Sequence, residues 1–297
     1  MKVSVQQSVF SFRGLAAFRF TNRSLVILTL LILMSGCAGK IAYNNADFII
    51  SWYLSDYIEF TPKQEPIAKA KIDDWLAWHR SSEMPKYLNQ LTTLKQQIQE
   101  GKINSALLQK HSDQVEYYWQ TVRQHIARDV SDFAMTLDIS QMSKLFLTLA
   151  DKREEDIQDF KEQTKKQPKP AQRILENIEE RLGYVTDKQR KIVNEYAQQL
   201  NSTYDMWMAH NANIQTELRQ ILIAKDFVPN SAQHLENLII NTDQKRSAEY
   251  TAARIQNKRL YITMLSDMFP TLESAQRKKL IAEIDTYIEL VQDIIAG

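Results

Sequence analysis

The chain has 297 residues and nearly balances its charges, with 37 Lys and Arg against 36 Asp and Glu, for a formal net charge of +1 at pH 7. So even a balance lacks the basic excess or stripe of a nucleic-acid binder, and a single cysteine excludes an internal disulfide framework. Only six glycines occur, alongside abundant Leu, Gln, Lys, Glu and Ala, which disfavours a turn-rich β fold and favours an all-α one.

The first element is a leader. Lys2, Arg13, Arg19 and Arg23 come before an apolar run over residues 25–34 with no acidic residue among them, as in an export signal. The run is too short for a membrane span, which needs roughly 20 residues. It ends in Ser35, Gly36 and Cys37, a pattern that resembles the lipobox of bacterial lipoproteins, although Met34 stands where leucine is usual. The resemblance implies cleavage between Gly36 and Cys37, lipidation of the Cys37 thiol with diacylglycerol, and a further acyl chain, such as palmitate, on the new amino terminus. With about 0.8 kcal/mol per buried methylene, such an anchor is close to permanent. Ala38 follows the cysteine in place of the aspartate that retains such proteins in the inner membrane, so the expected location is the outer membrane, lipid-anchored and facing the periplasm. Removal of residues 1–36 takes away four basic and no acidic residues, leaving a net charge of −3.

Residues 37–60 form the anchor and an aromatic segment. Ile49, Tyr53 and Tyr57 recur every four residues and Phe48 and Trp52 make a parallel row, so a helix here is apolar over most of its circumference and is expected in the core. The alternative places Trp52 and its neighbours in the lipid headgroup region. The helical body runs over 61–297. Thr61 and Gln64 can form a capping box, with Pro66 pushing the helix start towards Glu65. Trp75 and Trp78 share a face with Ile72 and are expected to pack on the aromatic helix. Pro85 should kink or restart the chain, and Gly101 should close the next helix as its C′ residue.

Tyr43-Asn44-Asn45-Ala46-Asp47, Trp78-His79-Arg80 and Glu83-Met84-Pro85-Lys86-Tyr87 together resemble a family of uncharacterised proteobacterial lipoproteins, a domain of unknown function. The resemblance implies an all-helical envelope lipoprotein and supplies no activity.

Further helices are expected over 104–135, from Asp138 onward, and from Ala171 to Gly183; a loop and possible internal boundary falls at 161–170. Two stretches without internal proline or glycine, 186–228 and 229–268, read as long helices, the first with a coiled-coil-like seam. A final helix carries Leu280, Ile284, Tyr287, Val291 and Ile294 on one face. The fold expected is therefore an elongated bundle of long antiparallel helices. Gln64, Gln141, Gln189, Gln233 and Gln276 sit at or near helix starts and hint at a repeat. These T-x-x-Q starts resemble those of small periplasmic chaperones of the Spy and CpxP type, though capping alone accounts for each.

No phosphate loop, nucleophile elbow or H-E-x-x-H motif is present, and no histidines stand four apart. No catalytic residue, metal ligand or cofactor is assigned. His79 and Glu83, one turn apart, read as a structural pair first and as an acid–base pair of an envelope hydrolase second. The function expected is a binding or structural module of the envelope, with a chaperone-like role as one form of it, and Trp52, Trp75, Trp78, His79 and Tyr87 as candidate binding surface. Its partners are the membrane, through the anchor, and an envelope protein or lipid; nucleic acid is not among them.

Overall fold

The computed structural model describes residues 36–166 and 170–297. The leader and residues 167–169 lie outside it, as does the side chain of Cys37. Within the described residues the fold is all-α, with no strand. In chain order the elements are α1 (Gly36–Asn44), α2 (Ala46–Tyr57), α3 (Gln64–Trp78), a π-helical turn (His79–Glu83), α4 (Met84–Gln99), α5 (Ser105–Ala134), α6 (Ile139–Lys166), α7 (Pro170–Leu182), α8 (Asp187–Ala197), α9 (Tyr204–Ala224), α10 (Ser231–Ile240), α11 (Ala248–Met268) and α12 (Ser274–Ala296). Helix α5 packs against α3, α10 and α11. Helix α12 carries α1, α4 and α7 along its length, and α6 supports α2 and α9.

Four of the helix starts are joined in pairs. At each, a glutamine three residues after the capping residue accepts from that residue's backbone N–H, as Thr61–Gln64, Asp138–Gln141, Thr186–Gln189 and Glu273–Gln276 do. Gln64 and Gln141 then bond each other through both amides, at 3.2 and 2.7 Å. Gln189 and Gln276 do the same at 2.8 and 2.9 Å. Each of the four amides also donates to a main-chain carbonyl two residues before its partner's cap: Thr136, Glu59, Thr271 and Tyr184. A buried amide is costly unless its donors and acceptor are all used, and this arrangement uses them. The repeat suggested by the sequence is thus one of pairs rather than of single helices. Gln233 does not take part: it is exposed, and its helix starts from Asn230 at φ +59° with no side-chain cap.

The two long proline-free stretches are interrupted. Between α8 and α9 the backbone of Asn201 is bound by the side chain of Asn257, through Asn201 N–H to Asn257 Oδ1 and Asn257 Nδ2 to the Asn201 carbonyl, both at 2.9 Å. Those contacts replace helical bonds, the competition that Asn side chains offer. Between α10 and α11 a 3₁₀ turn (Thr242–Lys245) intervenes and Ser247 caps the new helix on the N–H of Tyr250. The stretch over 161–166, expected as loop, continues α6. Gly101 (φ +68°) and Gly183 (φ +89°) end α4 and α7 in the left-handed conformation, as expected of C′ glycines.

The core is divided among small clusters: Leu175, Ile178, Val193 and Met264 between α7, α8 and α11; Leu222, Leu235 and Leu238 between α9 and α10; Ile98, Phe269 and Ile284; and Tyr43, Met84, Leu290 and Ile294. The last of these frames the site described next.

Candidate functional site: a π turn beside an apolar cavity

Pro85 has no N–H to continue an α-helix and its ring collides with the carbonyl four residues back. The chain absorbs this in the π turn His79–Glu83, closed by Met84 N–H on the His79 carbonyl. Such turns insert one residue into a helix and rotate the side chains beyond it. His79 and Glu83 consequently part company. His79 points to two tyrosines, with its Nδ1 3.0 Å from the Tyr43 hydroxyl and its Nε2 3.3 Å from that of Tyr87. The Tyr43 hydroxyl also reaches the Leu76 carbonyl. A neutral imidazole has one donor and one acceptor, so the tautomer that satisfies every group carries its proton on Nδ1, donates to Tyr43 and accepts from Tyr87. Glu83 is 1% exposed; its Oε1 lies 2.6 Å from Lys86 Nζ, while Oε2 is buried without a partner.

Burial pushes the His79 pKa down to about 4, against a smaller opposing pull from Glu83. Burial also raises the phenols of Tyr43, Tyr87 and Tyr118, with Glu83 adding to the effect at Tyr87 and Tyr118. Near neutral pH the cluster is therefore an uncharged imidazole held between uncharged phenols. It is equipped to give and accept hydrogen bonds and badly placed to act as a general acid.

Tyr87 and Tyr118, in ring contact at 4.7 Å, belong to both the polar cluster and a neighbouring cavity of about 310 Å³. The cavity lies between α4, α5 and α12, and its lining includes Met84, Leu91, Leu94, Val115, Leu290 and Ile294. Helices α4 and α5 are tied across it by Gln90 Nε2 donating to the His111 carbonyl and by the Tyr118 hydroxyl donating to the Lys86 carbonyl. Helix α1 crosses the outer wall. Gly39 comes so near Leu290 that a Cβ there would stand 2.9 Å from both of its methyl carbons. Arg80 fastens the same helix by donating to Asn44 and lying over the ring of Tyr43.

The five residues singled out from the sequence fall in two places. Trp75, Trp78, His79 and Tyr87 are half-buried, but the tryptophans do not face the aromatic helix as expected. Trp75 donates its indole N–H to Asp129 at 2.9 Å, and Trp78 stacks on His125 with ring centroids 3.6 Å apart, both on α5. Their shared face turns towards the longest helix because α2 is placed elsewhere, held to α3 by the Lys69–Asp47 ion pair and to α6 by Lys144 and Thr148 on the carbonyls of Ser55 and Asp56. Trp52 is the exception. On α2 only Tyr57 is buried; Phe48 is 69% and Trp52 62% exposed, with Ile49 and Tyr53 beside them. The expectation that this helix is core is overturned: its apolar circumference exceeds what α3 and α6 cover. Sequence reading missed Tyr43 and Tyr118 as partners of His79 and Tyr87, since they come from helices distant in the chain. The proline after Glu83 was the available signal that the regular i, i+4 pairing would fail.

Among the described residues no group of three His, Cys, Asp or Glu side chains is placed to hold a metal ion, and no helix is long and apolar enough to cross a membrane. The model of a family of unknown function (DUF6279) matches residues 56–251, which include the π turn but not α1 or α12. No curated protein and no solved structure matches the chain.

Proposed function

We propose, from the premise that the chain belongs to this family of unknown function, that it is an outer-membrane lipoprotein acting as a binding or structural module on the periplasmic side. The observation that carries the reading is the uncovered aromatic face of α2, which begins eleven residues after Cys37. Large contiguous apolar surfaces on a folded protein mark contact with a membrane or a partner, and Trp and Tyr favour the headgroup region. With an acylated Cys37 close by in the chain, the bilayer surface is the occupant that needs no second molecule. The neutral, hydrogen-bonding character of the His79 cluster supports binding over the hydrolase alternative.

The test uses full-length protein in cells and membranes. Metabolic labelling with a clickable fatty acid should mark the wild type and leave Cys37→Ser unlabelled. Phe48→Ser with Trp52→Ser should weaken association of the Cys37→Ser protein with phosphatidylethanolamine–phosphatidylglycerol vesicles several-fold at unchanged melting temperature. Equal labelling of the two forms removes the anchor, and undiminished vesicle binding removes the role of α2.

A chaperone-like use of the same body is the second reading. It is supported by the two T-x-x-Q helix starts, at Thr61 and Thr186, together with apolar side chains left uncovered at or just beyond helix ends, Ile139, Ile223 and Phe227, where Lys225 joins the end of α9 to the carbonyls of Met135 and Leu137. Suppression of aggregation of an unfolded client, lost on Phe227→Ser, would favour it.

A further inference from the structure

We propose that the cavity between α4, α5 and α12 is a binding site for one fatty acyl chain. Its volume, about 310 Å³, falls at the lower end of small-molecule sites. It is roughly twice the ~150 Å³ of a dry apolar cavity that admits benzene, which leaves room for a chain of about a dozen carbons. Its walls are aliphatic and aromatic. Ser112 apart, the polar groups at the margin are already engaged: His111 Nε2 with Gln97 at 2.8 Å, Gln90 with the His111 carbonyl, and the Tyr287 hydroxyl with Arg181 at 2.6 Å. A polar ligand would find no free partner among these. Water gains little from walls so largely apolar, whereas hydrocarbon gains contact with them. The chain's polar head is left outside, since burying a charge among Leu91, Leu94 and Val115 would strip its hydration with no partner to replace it.

The cavity also lies where an acyl chain is supplied. Gly39, resting on the wall residue Leu290, is two positions from Cys37, and Tyr43 of the same helix packs with Met84, Leu290 and Ile294. The chain can therefore come from the acylated Cys37 itself or from a separate envelope lipid. The first source rests on the lipoprotein reading; the second does not.

Full-length protein, as wild type and as Cys37→Ser, is titrated with a fluorescent polyene fatty acid, and palmitate is used to displace it. Cys37→Ser should bind with one-to-one stoichiometry. Val115→Phe and, separately, Leu91→Phe in that background should lower affinity at least tenfold, with the melting temperature unchanged or raised because each fills the space the ligand would occupy. If the wild type refuses the probe while Cys37→Ser accepts it, the occupant is the chain that Cys37 carries. If both bind alike, it is a separate lipid. Labelling of Cys37 in the same preparations shows whether the anchor exists, so its absence would remove the first source and leave the cavity site standing. Failure of both forms to bind, or full binding by a folded cavity-filled variant, overturns the proposal.

Discussion

His79 shows how one buried side chain can set a pH response. Its ordinary pKa is 6.5, and burial holds it at about 4 in the fold. As pH falls, the unfolded chain takes up this proton first, so the contribution to stability is complete above about pH 6.5, declines between 6.5 and 4, and is level below. The shift corresponds to on the order of 3 kcal/mol. His79→Gln keeps a donor and an acceptor but cannot titrate. Denaturant unfolding at successive pH values should show the wild type losing more stability than the variant over that interval; identical slopes would contradict the burial argument. Burial also lowers the pKa values of His111 and His210, so the difference between the two proteins, rather than either profile alone, reports on His79.

Among the elements, the paired helix starts make the sharpest claim. Gln189 and Gln276 are both fully buried, and each supplies bonds that the other needs. Gln276→Leu strands the Tyr184 carbonyl and the Glu273 N–H and takes from the buried Gln189 amide one donor and one acceptor contact, leaving it only its bonds to Thr186 and Thr271, and should cost on the order of 3 kcal/mol. Adding Gln189→Leu removes that half-satisfied amide, so the loss of the two Gln189–Gln276 bonds is counted once and the double variant should be less destabilised than the sum of the singles. Additive losses in a double-mutant cycle would mean that the two caps act independently. The π turn belongs to the same scale: a proline that would be a defect in a straight helix turns His79 towards Tyr43 and Tyr87 and Glu83 towards Lys86.

For the whole molecule, α12 is the common support. Its Leu280 packs on the α7–α8–α11 cluster, Ile284 on the cluster with Ile98 and Phe269, and Leu290 and Ile294 on Tyr43 and Met84. Loss of one buried contact on α12 should therefore be felt along the chain. Ile284→Ala should cost about 2–5 kcal/mol, with hydrogen-exchange protection falling in both α4 and α11. Ile139→Ser, at a site 79% exposed, should stay within about 0.5 kcal/mol of wild type. Protection lost only in α4 would show that the clusters unfold separately.

The all-α class, most helix boundaries and the capping glutamines were legible from the sequence alone, because they depend on local chemistry: glycine at C′, Thr, Asp or Glu with a glutamine three positions on at the start, apolar residues every three or four positions. The same locality explains what was misread. The breaks at Asn201 and Thr242 depend on side chains that reach across or compete with the helix, and the apolar circumference of α2 says how much surface asks for cover without saying whether any neighbour provides it. The pairing of Gln64 with Gln141, Tyr43 on His79, the stacking of Trp78 on His125 and the cavity walls from α4, α5 and α12 join residues tens to hundreds of positions apart. Only tertiary packing decided these, since no periodicity within one helix records which other helix will lie against it.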